Sequence, residues 1–98
     1  MKKVVLVCNA GISNSLLVEK LNTLAKEGNK DLVVVSSSLV EVKENAKEAD
    51  LVLLTPQVRF EEDKVKAETS AKVEVIAVES YENNDADAVL EFAEKLLK

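Results

Sequence analysis

Residues Val4–Leu21 read "VVLVCNAGISNSLLVEKL", and the reading of the whole chain turns on how this stretch divides. Val4–Val7 is a short apolar, mostly β-branched run, Asn9–Ser15 has no charged side chain, and Leu17, Leu21 and Leu24 recur at helical spacing. The division is strand, loop, helix. Cys8, the only cysteine, stands where the strand stops.

The same division repeats along the chain. Apolar runs are predicted as strands at Lys3–Cys8, Asp31–Ser36, Asp50–Thr55 and Val73–Val78, each followed by helix-compatible sequence. The first three lack alternation, as expected of parallel strands covered on both faces, whereas "VEVIAV" is less continuous and suits an edge. Leu39, Val42, Ala46 and Ala49 form a second helical stripe, with Ser38 and Glu41 at capping-box spacing before it. A third helix is expected from Gln57 to about Thr69, with only Val58 and Val65 as its apolar side. The last begins at Asn84 or Asp85 and presents Val89, Phe92 and Leu96 on one face, with Lys95 and Lys98 where the helix dipole favours cations.

Four βα units joined by right-handed crossovers give an α/β fold. We expect a small flavodoxin-like open sheet of four parallel strands, order 2-1-3-4, with helices on both faces. Ligands gather outside the carboxyl ends of the strands in such sheets. Cys8 ends the first strand and Thr55, Pro56 and Gln57 end the third, so these neighbouring strands should bring the two segments to one crevice.

Composition narrows the function classes. With 98 residues, two glycines and one proline, a single compact domain spanning residues 1–98 is expected, able to bury roughly two-thirds of its unfolded surface. A net charge of −5, with Lys and Arg spread along the chain, argues against nucleic acid and anionic lipid. The chain has no histidine, which excludes Ser/His and Cys/His catalytic pairs, and with one cysteine it cannot build a structural zinc site. No metal or cofactor is expected. No run is long enough to span a bilayer and no signal-peptide core is evident, so a cytoplasmic location is expected, without direct membrane insertion.

The loop after Cys8 carries the chemistry. Asn9, Ala10, Gly11, Ile12, Ser13, Asn14 and Ser15 combine a flexible glycine with hydroxyls at a helix start, so backbone N–H groups can converge as an anion nest. A nest of this kind also favours a thiolate. A Walker loop needs Gly-Lys-[Ser/Thr], but Ile12 follows Gly11, and two glycines in the whole chain rule out a dinucleotide fingerprint. Low-molecular-weight tyrosine phosphatases share the strand–loop–helix, but their loop ends on an Arg where this chain has Asn14, and no Asp-Pro follows the fourth strand as general acid. Transfer from a phosphohistidine, whose imidazole departs readily, needs neither.

At this point the two segments, taken together, resemble a known family. "VVLVCNAGISNSLLVEKL" and "ADLVLLTPQVRF" are similar to the two signatures of the enzyme IIB component of the phosphoenolpyruvate-dependent sugar phosphotransferase system, lactose/cellobiose (chitobiose) type. The likeness extends over the whole chain in length and element order. It implies that Cys8 accepts a phosphoryl group from a phosphohistidine on IIA and passes it to a sugar, such as a β-linked disaccharide, bound in the membrane permease IIC, so that the protein works transiently at the inner face of the membrane. Thr55 departs from the pattern, which has a small residue before Pro-Gln, and the third helix is unusually charged.

Each candidate has a plainer role beside this one. Cys8 alone could be a small buried hydrophobe, and the anion nest is what argues otherwise. Ser13 and Ser15 serve equally as helix-start residues; Pro56 holds Thr55 extended and ends the strand; Gln57 could simply fill a first helical turn. Leu16 is expected in the core, and Ile12, with no burial partner in view, as a docking contact. Two other functions remain open: a degenerate phosphatase or arsenate-reductase-like enzyme, and a phosphate-sensing module without covalent chemistry.

Overall fold

The computed structural model describes residues 2–8 and 15–97. Four strands, β1 (Lys2–Cys8), β2 (Leu32–Ser38), β3 (Leu51–Leu54) and β4 (Lys72–Val75), form one sheet in the order β2-β1-β3-β4. Every pairing is parallel, with Cys8 opposite Ser38, Val7 opposite Leu54, and Leu54 opposite Val75. The expected order 2-1-3-4 is the observed one.

Strict alternation divides the strands between two cores. On one face Val4, Leu6, Leu51 and Leu53 pack with α1 (Ser15–Glu27) and α5 (Ala86–Leu97) through Leu17, Leu21, Ala25, Val89, Leu90 and Ala93. On the other, Val5, Val7, Val52 and Leu54 pack with Val42 and Ala46 around α2 (Val42–Asn45), Val58, and Val65 of α3 (Glu62–Glu68). The central strands therefore need apolar residues at every position. The α1 stripe runs through Leu17, Leu21 and Ala25, which leaves Leu16 off the buried side and 57% exposed, contrary to its expected place in the core. The helix ends in a Schellman turn: Asn29 takes φ 54° and the Lys30 N–H donates to the Ala25 carbonyl at 2.8 Å.

The structure corrects several of these expectations, beginning with β2, which runs on to Ser38 rather than ending at Ser36, and β3, which keeps only Leu51–Leu54 of the expected Asp50–Thr55. β2 is an edge strand in this order, so Val33 and Val35 are only half-buried and Ser36 is exposed, where cover on both faces was expected. The second helix shrinks to a single turn, because Ser38 is still paired in β2. Its hydroxyl accepts from the Glu41 N–H and donates to the Glu41 carboxylate, both at 3.3 Å, closing a turn ahead of the helix rather than capping it. The third begins as a 3-10 helix over Pro56–Glu61 with a kink at Val58, and only then becomes α3. β4 stops at Val75, since after Ile76 makes the last ladder bond to the Leu54 carbonyl the chain turns into a short helix, α4 (Val78–Glu82). The start of α5 falls as read: Asp85 caps it by accepting the Ala88 N–H at 3.1 Å.

Asn22 performs a service that helical periodicity does not reveal. Its side-chain amide donates to the Val34 carbonyl and its oxygen accepts the Val34 N–H, both at 2.8 Å. One helical side chain thus closes a backbone pair on the open edge of β2, where a foreign strand could otherwise dock. Asn22→Ala leaves both groups without partners beside the core; we expect a loss of about 1–3 kcal/mol in chemical denaturation, with faster hydrogen exchange at the Val34 amide.

Candidate active site at the carboxyl end of the sheet

β1 delivers Cys8 to the carboxyl edge of the sheet with only 1% of its surface exposed. The ladder continues one residue beyond β3, where the Thr55 N–H donates to the Val7 carbonyl at 3.0 Å. Thr55 is therefore the next register partner of Cys8, on the strand opposite the one that supplies Ser38. By the period of two, Cys8 shares a face with Val4 and Leu6, and Thr55 shares that face with Leu51 and Leu53. Ser38, Cys8, Thr55 and Ile76 thus form one row across the sheet, under the face on which α1 packs. Adjacent strands lie about 4.8 Å apart, so the Cys8 and Thr55 side chains are neighbours.

Pro56 explains why Thr55 stays in that row. It confines the preceding residue to extended backbone, and Thr55 has φ −71° and ψ 157° before the chain turns into the 3-10 helix. Pro56 is itself buried, while the Gln57 side chain is exposed. The crevice wall expected from Thr55, Pro56 and Gln57 is thus formed by the first two, with Gln57 at its outer margin.

Asn9, Ala10, Gly11, Ile12, Ser13 and Asn14, and the side chain of Ser15, lie outside the described residues. The Ser15 backbone opens α1, a helix with no acidic residue in its first turn, so no carboxylate there opposes an anion at its positive end. Among the described residues no group of three or more His, Cys, Asp or Glu is placed to hold a metal ion, and no helix is long and apolar enough to cross a membrane.

Besides Leu16, the structure brings forward residues that the sequence reading did not single out. Arg59, the only arginine, donates from Nη1 to the Pro56 carbonyl at 2.6 Å and stacks over the Phe60 ring at 4.5 Å. Phe60 is nevertheless 80% exposed and Val40 91%, with Val78 and Leu16 also open to solvent. All four follow the carboxyl end of a strand: Leu16 in the first turn after β1's loop, Val40 two residues beyond β2, Phe60 in the helix leaving β3, and Val78 opening the helix after β4. The available signal was that Val40 and Phe60 are apolar residues off the helical stripes of the segments leaving their strands, whereas Val78 falls within the run read as the fourth strand and gave none. A groove of about 570 Å³ between α1 and the turn Asn83–Asp87 touches Leu16 but neither Cys8 nor Thr55, and the charged residues that line it, Glu19, Lys20, Asp85 and Asp87, leave it net negative and unsuited to an anion.

A four-stranded parallel sheet in this order, with its single thiol at a strand end before a helix, defines the flavodoxin-like class that low-molecular-weight phosphatases share. Within that class the chain belongs to the lactose/cellobiose-specific IIB subunit family of the sugar phosphotransferase system, whose model matches residues 3–92. It is 32% identical over 100 residues to the oligo-beta-mannoside-specific EIIB component of Bacillus subtilis (strain 168), covering 99% of this chain and 97% of that one. To the galactose-specific EIIB component of Lactococcus lactis subsp. cremoris (strain MG1363) it is 35% identical over 104 residues, with 98% and 96% covered. The cellobiose-specific IIB component of Borrelia burgdorferi superposes with a TM-score of 0.80 at 28% identity, covering 98% and 91%. The lactose-specific IIB domain of Streptococcus pneumoniae, 18% identical, gives 0.86 with 99% and 98% covered and shows the same fold. The protein is a phosphoryl carrier in sugar uptake, a phosphotransferase component that passes a phosphoryl group from IIA to sugar.

Proposed function

We propose that residues 1–98 work as one IIB domain in which Cys8 is the nucleophile and carries the phosphoryl group as phosphocysteine. The observation that carries this reading is the placement of the chain's only thiol at the carboxyl end of β1, beside Thr55 and immediately before the loop that leads into α1. In the first transfer the Cys8 thiolate attacks phosphorus of a phosphohistidine on IIA. An S–P bond forms as the N–P bond breaks, and the imidazole leaves with the bonding pair. In the second, a sugar hydroxyl held by IIC attacks the same phosphorus, Cys8 departs as thiolate, and the hydroxyl proton goes to a base outside this chain. Backbone N–H groups of Asn9, Ala10, Gly11, Ile12, Ser13, Asn14 and Ser15 form the cradle for the phosphoryl oxygens, with the Ser13 and Ser15 hydroxyls as further donors; Thr55, Pro56 and Gln57 wall the crevice. Neither step calls for a metal.

The oligo-beta-mannoside- and cellobiose-specific relatives and the lactose/cellobiose family description support a β-linked disaccharide such as cellobiose or lactose as the sugar, with chitobiose a further candidate, whereas the galactose-specific relative does not; IIC at the inner face of the membrane is the place where the sugar is met. The decisive experiment is intact mass after incubation with phosphorylated IIA: one added phosphoryl group on Cys8 is expected. An unchanged mass would overturn this reading: hydrolysis of an aryl phosphate without transfer would put the degenerate-phosphatase one in its place, and phosphate binding with neither hydrolysis nor transfer the phosphate-sensing module.

IIA and IIC must recognise a domain that is already acidic and becomes more so when phosphorylated. Apolar contact is the remaining means, and the exposed Val40 and Phe60 at the thiol's end of the sheet supply it alongside Ile12. Phe60→Glu should slow transfer from IIA by roughly tenfold while shifting the melt by less than about 0.5 kcal/mol, since an exposed side chain holds little of the fold. Equal rates for mutant and parent would remove Phe60 from the contact.

A further inference from the structure

Thr55 is completely buried, and among the described residues its Oγ1 has no hydrogen-bond partner. Every other polar group of the residue is engaged: its N–H donates to the Val7 carbonyl, and its own carbonyl accepts the Val58 N–H, both at 3.0 Å. A buried hydroxyl without a partner is destabilising, and valine would fill the same volume with no such cost. The fold by itself gives no reason for threonine here.

Its surroundings show what could engage it. Thr55 is the register neighbour of Cys8 on the same face of the sheet, close to where α1 begins. A phosphoryl group on Sγ would carry its oxygens beyond the sulfur, among the side chains of this row. Ile76, on the other side of Thr55, is apolar and offers no partner. A phosphoryl oxygen is a charged acceptor, and a hydroxyl is a neutral donor that can turn toward it without adding charge to an acidic domain.

We propose that Thr55 is a phosphoryl-binding residue, its hydroxyl donating a hydrogen bond to a non-bridging oxygen of the group carried by Cys8. The proposal rests on the carrier reading above. Among the described residues the hydroxyl gains its hydrogen-bond partner only when the phosphoryl group arrives, so it favours the loaded state over the empty state.

The test uses the full chain, its Thr55→Val, Thr55→Ala and Thr55→Ser variants, and purified phosphorylated IIA of the lactose/cellobiose type at neutral pH. Phosphorylated fractions at equilibrium are read by intact mass, the phosphocysteine by its ³¹P chemical shift, and the unphosphorylated proteins by thermal melt. Thr55→Val should lower the transfer equilibrium constant roughly tenfold and move the ³¹P shift, while its melt holds or rises. Thr55→Ala should show the same loss of transfer, so the result does not depend on one variant folding. Thr55→Ser should restore the equilibrium to within about threefold of the parent. A purely packing role would lower the melt of the alanine variant and leave equilibrium and ³¹P shift alone; that outcome, or serine behaving like valine, overturns the proposal. Loading of the parent together with equal loading of Thr55→Val overturns it while leaving the carrier reading intact. Failure of the parent to load at all overturns both.

Discussion

Cys8→Ser protein incubated with phosphorylated IIA should gain no phosphoryl group, with transfer at least about a thousandfold below the parent, while its melt stays close to the parent's. Serine has nearly the shape of cysteine, so the fully buried end of β1 keeps its packing. An alcohol is a much weaker acid than a thiol, however, and no histidine exists in this chain to take its proton. Removing a lone nucleophile of this kind normally costs several powers of ten. Continued loading at the parent's rate would move the phosphorylation site elsewhere. A collapsed melt would instead mean that Cys8 matters chiefly as a core residue.

The largest effect on stability is expected at Leu53. It lies in the middle of β3 with almost no exposed surface, packed between β1 and β4 and beneath α1 and α5. Leu53→Ala empties a site that rigid strands on both sides cannot close, for a loss of about 3 kcal/mol. For a domain of this length that corresponds to a melting temperature lower by about 12 °C or more. The half-buried Val33, on edge strand β2, gives the contrast: Val33→Ala should cost about 1 kcal/mol or less, because one side of its environment is already solvent. Urea titrations of the two variants, with unchanged slopes, would check both values; a Leu53→Ala midpoint equal to that of Val33→Ala would contradict the layered core.

By itself the sequence determined the sheet. Unbroken apolar runs such as Val4–Val7 and Leu51–Leu54 can be buried only by cover on two faces, and short βα units can be joined only by parallel crossovers, so composition and chain connectivity together leave few arrangements. It also determined which residues end the strands, because the lone thiol of Cys8 at the end of β1 and the Thr-Pro-Gln after β3 are set by position along the chain. Helix lengths were a different matter. Ser38 and Glu41 do form their paired hydrogen bonds, but strand pairing with Cys8 claims Ser38 first, and the helix that their spacing announces is reduced to Val42–Asn45. β4 likewise ends at Val75 although "VEVIAV" continues, because β3, its only neighbour, has no further strand to offer. What only the tertiary structure decided are the relations between residues far apart in the chain. Asn22 finds the backbone of Val34, Leu16 is left facing solvent, and the Thr55 hydroxyl is buried beside Cys8 without a partner among the described residues, since side chains meet through the register of neighbouring strands and the docking of helices, neither of which local spacing encodes.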